Sequence, residues 1–342
     1  MNFTLVLRSE VEHTLQAIRQ PELKLQPRHN THFHSLDETR KVLPIREHTL
    51  PDSQPWVRFD PFVDLIARSQ GLDPSEVHTI NLPPAFLTMV EQYGRSGILL
   101  QSLSSSALED LEETFPTRTS EGKPVKELFA SSLTQFFARI STCSLKDSFY
   151  QPRNTNSSNA NLGCGAVTEM RQLRQRIATS ARAVEGIRAL RAAGLLVNLF
   201  LLSWKNDIKP QNEYRVFCAP DGGAIIAVSQ YRWFDPWVHY QAGLDGKTKM
   251  EAEARSVLAG VRSIHRELMA HPEMSRARLD NNGFVFDVVE RRDGGVALLE
   301  LNSFGATSGC GSCLYHWIRD AQQLYAAGGD EREVEFRVLA TG

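Results

Sequence analysis

The 342-residue sequence has no apolar run long enough to cross a bilayer. Its longest, "GLLVNLFLLSW" at 194–204, falls well short of the roughly 20 residues a spanning helix needs. The opening "MNFTLVLRSE" shows neither a basic leader nor a long apolar core, so no signal peptide is expected. Neither sign of charge is in excess: 38 Lys and Arg stand against 40 Asp and Glu, a formal net charge of −2. That balance argues against nucleic acid or membrane as a partner. Cysteine is scarce, and the odd total of five fits reduced thiols and a cytoplasmic location. There is no P-loop signature, no strand–GxGxxG–helix pattern and no internal repeat, so a nucleotide would have to be held by some other device. What is present is an ordinary globular composition, 42% hydrophobic and 23% charged, long enough for two domains or one large two-lobed unit.

The most informative stretch is "FVFDVVERRDGGVALLELNSFG", 284–305. Two runs rich in Val, Phe and Leu flank "RRDGG", and Asp-Gly is a strong hairpin-turn signal because a type I′ turn needs positive φ at both central residues. With Asp293 and Gly294 central, Asp287 lies opposite Glu300; with Gly294 and Gly295 central, it lies opposite Asn302. Side chains alternate with period two, so either register puts Asp287, Glu300 and Asn302 on one face; a three-residue loop would break the pattern. Facing carboxylates are destabilising unless a proton or a cation relieves them. Asp, Glu and Asn oxygens are the hard donors Mg²⁺ accepts. The alternative is two solvated carboxylates on an exposed face.

The rest of the chain alternates helix and strand signals. Residues 1–55 are polar and include "PRHNTHFHS", whose His29, His32 and His34 suggest a metal tract or, on composition, a mobile surface segment. "DPFVDLIARSQG" reads as a short helix, "TINLPPAFLTMVEQYGRSGILL" as an extended Pro-Pro lead-in to a helix, and "TQFFARIST" as a strand. The Asn- and Ser-rich "YQPRNTNSSNANLGCG" reads as a flexible loop. A helix is expected through Met170, Leu173, Ile177, Val184 and Ile187, stopping at Gly194, with its arginines on a solvated face. "LLVNLFLLSW" reads as a buried strand, and "EYRVFCA" with "AIIAVSQ" as a second hairpin around "PDGG". A helix follows with Met250, Ala254, Val257, Leu258, Val261, Ile264 and Leu268 as a core stripe. "CGSC" at 310–313 has zinc or redox spacing but lacks a second pair, so a Gly-rich loop with incidental thiols is the simpler reading.

Taken in order, these segments resemble the eukaryotic cell division cycle protein 123 family. Its Phe-Pro-Lys-Leu-Asn-Trp-Ser-Ala-Pro-Arg-Asp-Ala strand resembles "FARISTCSLKDS", 137–148. Its Glu-Leu-Val-Leu-Arg-Lys-Trp hinge resembles "NLFLLSW", 198–204; its Glu-Phe-Arg-Cys-Phe resembles "EYRVF", 213–217; its Ile-Ser-Gln resembles "VSQ", 228–230. Its Phe-Val-Phe-Asp and Leu-Ile-Asp-Phe-Asn-Pro-Phe-Gly resemble "FVFD" and "LLELNSFG", and a Leu-Pro lead-in resembles "INLPPAF". No single motif is decisive, but their order over residues 80–320 is specific.

The resemblance implies an ATP-grasp α+β fold, with the nucleotide held between two antiparallel-sheet lobes flanked by helices. It divides the chain into an N-terminal region at 1–128 (the polar 1–55, then a small α/β lobe), an ATP-grasp core at 129–325 and a tail at 326–342. It implies ATP and Mg²⁺ as cofactors, with Asp287, Glu300 and Asn302 as metal ligands, Arg139 and Arg215 near the phosphates, and Phe200 and Leu202 on the adenine-side hinge strand. Departures from the family pattern are marked: Arg139 for Lys, Leu202 for Arg, Tyr231 for Arg, Glu300 for Asp, and a longer "SFGATSGCGSCLYHW" without the Pro after Asn302. A remodelled loop beside the γ-phosphate suits a new acceptor. The expectation is therefore an ATP- and Mg²⁺-dependent carboxylate–amine ligase that forms an amide through an acyl phosphate, its catalytic residues unassigned. The alternative is an ATP-binding assembly chaperone for translation initiation factor 2, engaging the factor's γ subunit.

Overall fold

The computed structural model describes residues 1–42, 57–131, 133–149, 165–220, 222–243, 245–325 and 333–341. The Asn- and Ser-rich stretch at 150–164 lies outside the described residues. Among the described residues, nine strands form two sheets: β1 (Asn2–Val6), β2 (Val77–Asn81), β3 (Phe136–Ile140), β4 (Asn198–Ser203), β5 (Glu213–Cys218), β6 (Ile225–Gln230), β7 (Phe284–Glu290), β8 (Val296–Ser303) and β9 (Glu335–Leu339). The chain divides into two compact units, 58–205 and 1–57 with 206–342. The boundaries thus fall after residues 57 and 205 rather than at 128 and 325. Both chain ends, read as a polar segment and a tail, supply strands to one sheet.

Unit 58–205 is built on the antiparallel sheet β2-β4-β3. One face carries Ile80, Ala138, Ile140, Leu199 and Leu201, buried against Phe86, Val90, Leu173, Ile177, Val184 and Ile187. These come from the helices Pro84–Leu100, Met170–Thr179 and Ala181–Ala192. The single helix expected over the last two is interrupted at Ser180, whose hydroxyl caps the second by accepting from the Ala183 N–H at 3.0 Å. Its arginines are not all solvated. Arg174 and Arg176 are 6% and 4% exposed; Arg174 pairs with Glu112 at 2.9 Å and Arg176 donates to the Gly165 carbonyl at 2.6 Å.

The other unit is built on a six-stranded sheet, β1-β9-β6-β5-β7-β8. It is mixed rather than antiparallel: β9 runs parallel to both β1 and β6. The stripe on helix Gly246–Met269 is buried from Met250 to Leu268, as its spacing predicts. Phe284 and Phe286 face that helix, both stacked against His265. Alternation then turns Val285 and Asp287 to the opposite face.

The β7–β8 hairpin reaches the expected pairing by an unexpected route. Residues 291–295 form a five-residue loop, closed by Arg291 N–H to Gly295 O at 2.8 Å, and Glu290 pairs with Val296. Extended inward, that register would set Asp287 opposite Leu299. A bulge between Asp287 and Val288 shifts it by one residue, and Asp287 pairs with Glu300 and Val285 with Asn302.

Candidate functional site

A single transverse row crosses the six-stranded sheet. Glu300, Asp287, Arg215, Ser229, Arg337 and Thr4 are successive register partners on β8, β7, β5, β6, β9 and β1. Partners share a face, so one face carries an ordered sequence of charges and hydroxyls. At its centre the Arg215 guanidinium grips the Asp287 carboxylate in bidentate fashion, Nε to Oδ1 at 2.8 Å and Nη2 to Oδ2 at 2.7 Å. Asn302 Nδ2 also donates to Asp287 Oδ2, at 3.0 Å. Arg215 is 6% exposed and Asp287 1%. Burial by itself would lower the guanidinium pKa, but the Asp287 carboxylate and the nearby thiols of Cys310 and Cys313 hold it well above its ordinary value. The repulsion between Asp287 and Glu300 thus has a relief built into the sheet, the cation on the neighbouring strand.

The chain after Asn302 folds back over this row. Arg215 Nη1 donates to Gly311 O at 2.6 Å, Ser229 Oγ accepts from Leu314 N–H at 3.1 Å, and Arg337 Nη1 donates to Leu314 O at 3.3 Å. Phe304, Ala306, Cys310, Tyr315 and Trp317 then pack with Phe217, Ala227 and Val285 of the same face. The histidine tract is not a mobile surface segment but a strap along this loop. Asn30 N–H donates to Cys313 O at 2.7 Å, His34 N–H to Ala306 O at 2.9 Å, and Trp317 N–H to Thr31 Oγ1 at 3.1 Å. Two glycines of "GATSGCGSC" are explained by this contact: a Cβ at Gly309 would lie 2.7 Å from the Phe33 ring, and one at Gly311 would collide with Asn30 Oδ1.

In the other unit, Arg139, Phe200 and Leu202 share the face of β3 and β4 turned away from the helices. Arg139 pairs with Phe200, and Leu202 with Phe137. All three are 2% exposed. The Arg139 guanidinium lies 4.1 Å from the centre of the Phe59 ring, which packs edge-on against Phe200 at 5.1 Å. Beside them Asp60 Oδ1 accepts from Arg58 Nη2 at 2.8 Å, Ser141 Oγ at 3.1 Å and Asn198 Nδ2 at 2.7 Å. Phe59 and Asp60 escaped the sequence reading because "FDPF" looks only like a helix start; Asp before Pro was the available signal.

The structure therefore assembles Asp287, Glu300, Asn302 and Arg215 in one cluster, and Arg139, Phe200 and Leu202 in another. The first cluster suits a hard cation. Its donors are oxygens, Glu300 is half-buried, and the Asn302 amide oxygen accepts no hydrogen bond among the described residues. Two carboxylates and one guanidinium leave a single negative charge, too little to strip Mg²⁺ of water alone. It is the kind of site that takes Mg²⁺ together with substrate phosphates. Among the described residues, no group of three or more His, Cys, Asp and Glu side chains could hold a metal ion.

This architecture is α+β, two sheets with flanking helices. It is similar to the structure of Cdc123 from Schizosaccharomyces pombe, with a TM-score of 0.51 and 14% identity over 91% of this chain and 100% of that one. A C-terminally truncated form of the same protein gives a TM-score of 0.52 and 16% identity over 86% and 99%. No family model matches the sequence, and no curated protein matches it. The likeness lies in the fold. No helix of the described chain is long and apolar enough to cross a membrane.

Proposed function

We propose that the protein binds ATP with Mg²⁺ and uses it to activate a small carboxylate for amide-bond formation with an amine. The observation that supports this most is the alignment of Asp287, Glu300 and Asn302 on one sheet face beside Arg215. In this reading Glu300 and Asn302 offer oxygens to the metal, which when bound draws negative charge away from the transferring phosphoryl group. Asp287 holds Asn302 and Arg215 in place and completes the ligand set. Arg139 offers its guanidinium to phosphate oxygens, and Phe200 and Leu202 offer an apolar strand to the adenine. Charge-assisted contacts of this kind carry most of the work in phosphoryl transfer, which needs positioning more than covalent chemistry from the protein.

A second reading keeps the nucleotide site and changes its purpose: ATP is a structural ligand of an assembly chaperone for translation initiation factor 2, bound to the factor's γ subunit. The likeness of fold to Cdc123 favours it. The close fit of the strap into the Gly-rich loop also weakens the argument that this loop was remodelled for a new acceptor. The purified protein should be incubated with ATP, Mg²⁺ and pools of amino acids or peptides, and phosphate release followed. Turnover that depends on an added amine supports the ligase. Stoichiometric ATP binding without turnover, together with capture of the γ subunit, supports the chaperone and overturns the ligase.

A further inference from the structure

A polar cavity lies in the unit formed by the chain ends, and none of its lining residues belongs to the Asp287 cluster. Helix Arg8–Arg19, residues 26–29, the turn at 316–320 and Arg337 of β9 line an open cavity of about 480 Å³, a volume suited to a small molecule. Its carboxylates are already engaged. Asp320 takes a bidentate pair from Arg337 at 2.9 and 3.0 Å, and Glu10 accepts the Leu7 N–H at 3.0 Å. Its cations are less committed. The side chains of Arg28 and Arg319 are exposed and have no ion-pair partner among the described residues.

The histidines of this cavity point to the same chemistry. His29 is 9% exposed, and its Nδ1 lies 3.1 Å from the Leu314 carbonyl. A carbonyl only accepts, so the neutral ring carries its proton on Nδ1 and leaves a bare lone pair on Nε2. That Nε2 is buried and has no hydrogen-bond partner among the described residues, and the same holds for His13 Nδ1. An orphaned buried polar atom is destabilising, and its persistence calls for an explanation. His316 is 8% exposed. Its Nδ1 accepts the backbone N–H groups of Ile318 at 3.1 Å and Arg319 at 3.3 Å. The His316 proton therefore sits on Nε2, ready to donate.

We propose that this cavity binds a small oxyanion, a phosphate or carboxylate group, through Arg28, Arg319, His316 Nε2–H and a protonated His29. An oxyanion supplies the negative charge that the two arginines lack. A proton taken up at His29 Nε2 turns the orphaned lone pair into a donor while Nδ1 keeps its bond to Leu314. Binding is then coupled to proton uptake, and affinity rises as pH falls. The groups facing His29 are Glu10 from the helix, Asp320 and His316 from the turn, and Arg337 from β9. Burial is the largest influence and disfavours the protonated ring; the bond to the Leu314 carbonyl, Glu10 and Asp320 favour it and Arg337 opposes it, so the ring is neutral in the empty cavity and the incoming anion supplies the charge that protonates it. The inference does not rest on the ATP reading.

The test is calorimetric titration of the full chain with inorganic phosphate, sulfate and succinate. Saturable one-to-one binding is expected. Phosphate binding more tightly than succinate identifies a phosphoryl ligand, and the reverse a carboxylate. Sulfate does not titrate between pH 6 and 8, so a higher affinity at pH 6 reports proton uptake by the protein on binding. In the double variant Arg28→Ala, Arg319→Ala, both positions being exposed, affinity should fall by about tenfold or more, the usual effect of losing charged hydrogen bonds. No saturable binding to the wild type, or undiminished binding to the double variant, would overturn the proposal.

Discussion

The two sheets carry their candidate residues in the same way and hold them differently. In each, one face packs on helices and the other carries the candidate residues. On the six-stranded sheet the Arg215 and Asp287 charges cancel in a bidentate pair, both partners buried. On the three-stranded sheet the Arg139 guanidinium lies against the Phe59 ring, a contact that attracts a cation from one side. The buried ion pair is part of the framework, and its loss is felt first in stability. Arg139 is the cation offered to the nucleotide in the proposed reading, and its loss is expected first in binding.

The sharpest way to break this contrast is at Asp287. Asp287→Ala leaves the Arg215 guanidinium buried without its carboxylate, and such losses cost about 3–5 kcal/mol. Chemical denaturation should show a drop of that order. A variant as stable as the wild type would mean that the pair contributes nothing to the fold. Facing carboxylates alone would give the opposite sign, since removing one relieves repulsion.

Next in size is Arg139. Arg139→Ala should weaken ATP by about 1.5–3 kcal/mol, the range for a hydrogen bond to a charged group, and Arg139→Lys should recover part of that. The loss in stability should be smaller than in Asp287→Ala; the contact with the Phe59 ring contributes about 2 kcal/mol of it. Equal ATP affinity across the three proteins would place Arg139 among purely structural residues.

A third effect comes from the strap. Burial pushes the pKa of His316 down to about 4 and also lowers that of His29. Both rings are therefore held neutral in the folded protein. Their contribution to stability is complete above the ordinary histidine pKa of about 6.5 and is lost as pH falls from there toward 4. The thermal midpoint should decline between pH 7 and 5, and less so in His316→Asn. A flat profile in the wild type would contradict this.

What could be read in advance, and what could not, divides along the same physical line. Local signals were legible. Period-two alternation put Asp287, Glu300 and Asn302 on one face, and helical spacing marked the stripe from Met250 to Leu268. Non-local pairing was not. β1 and β9 are short, parallel to each other and drawn from opposite ends of the chain, and nothing in either segment names its partner. The strap at 29–34 is polar and is held largely through backbone hydrogen bonds, which composition does not reveal. The bulge that restores the Asp287–Glu300 pairing left no mark in the turn sequence. Phe59, whose ring carries Arg139, belongs to a segment far from β3 in the chain.

The smallest structural effect is expected at Glu300, which makes it the best probe of the site. It is half-buried on the edge strand, and Glu300→Ala should change stability by no more than about 0.5 kcal/mol, as surface substitutions do. Calorimetric titration of ATP into wild type and Glu300→Ala, each with and without Mg²⁺, then tests the metal assignment with the fold held constant. The account predicts that Mg²⁺ strengthens ATP binding to the wild type and that the variant loses most of that gain. Equal Mg²⁺ dependence in the two proteins would contradict it.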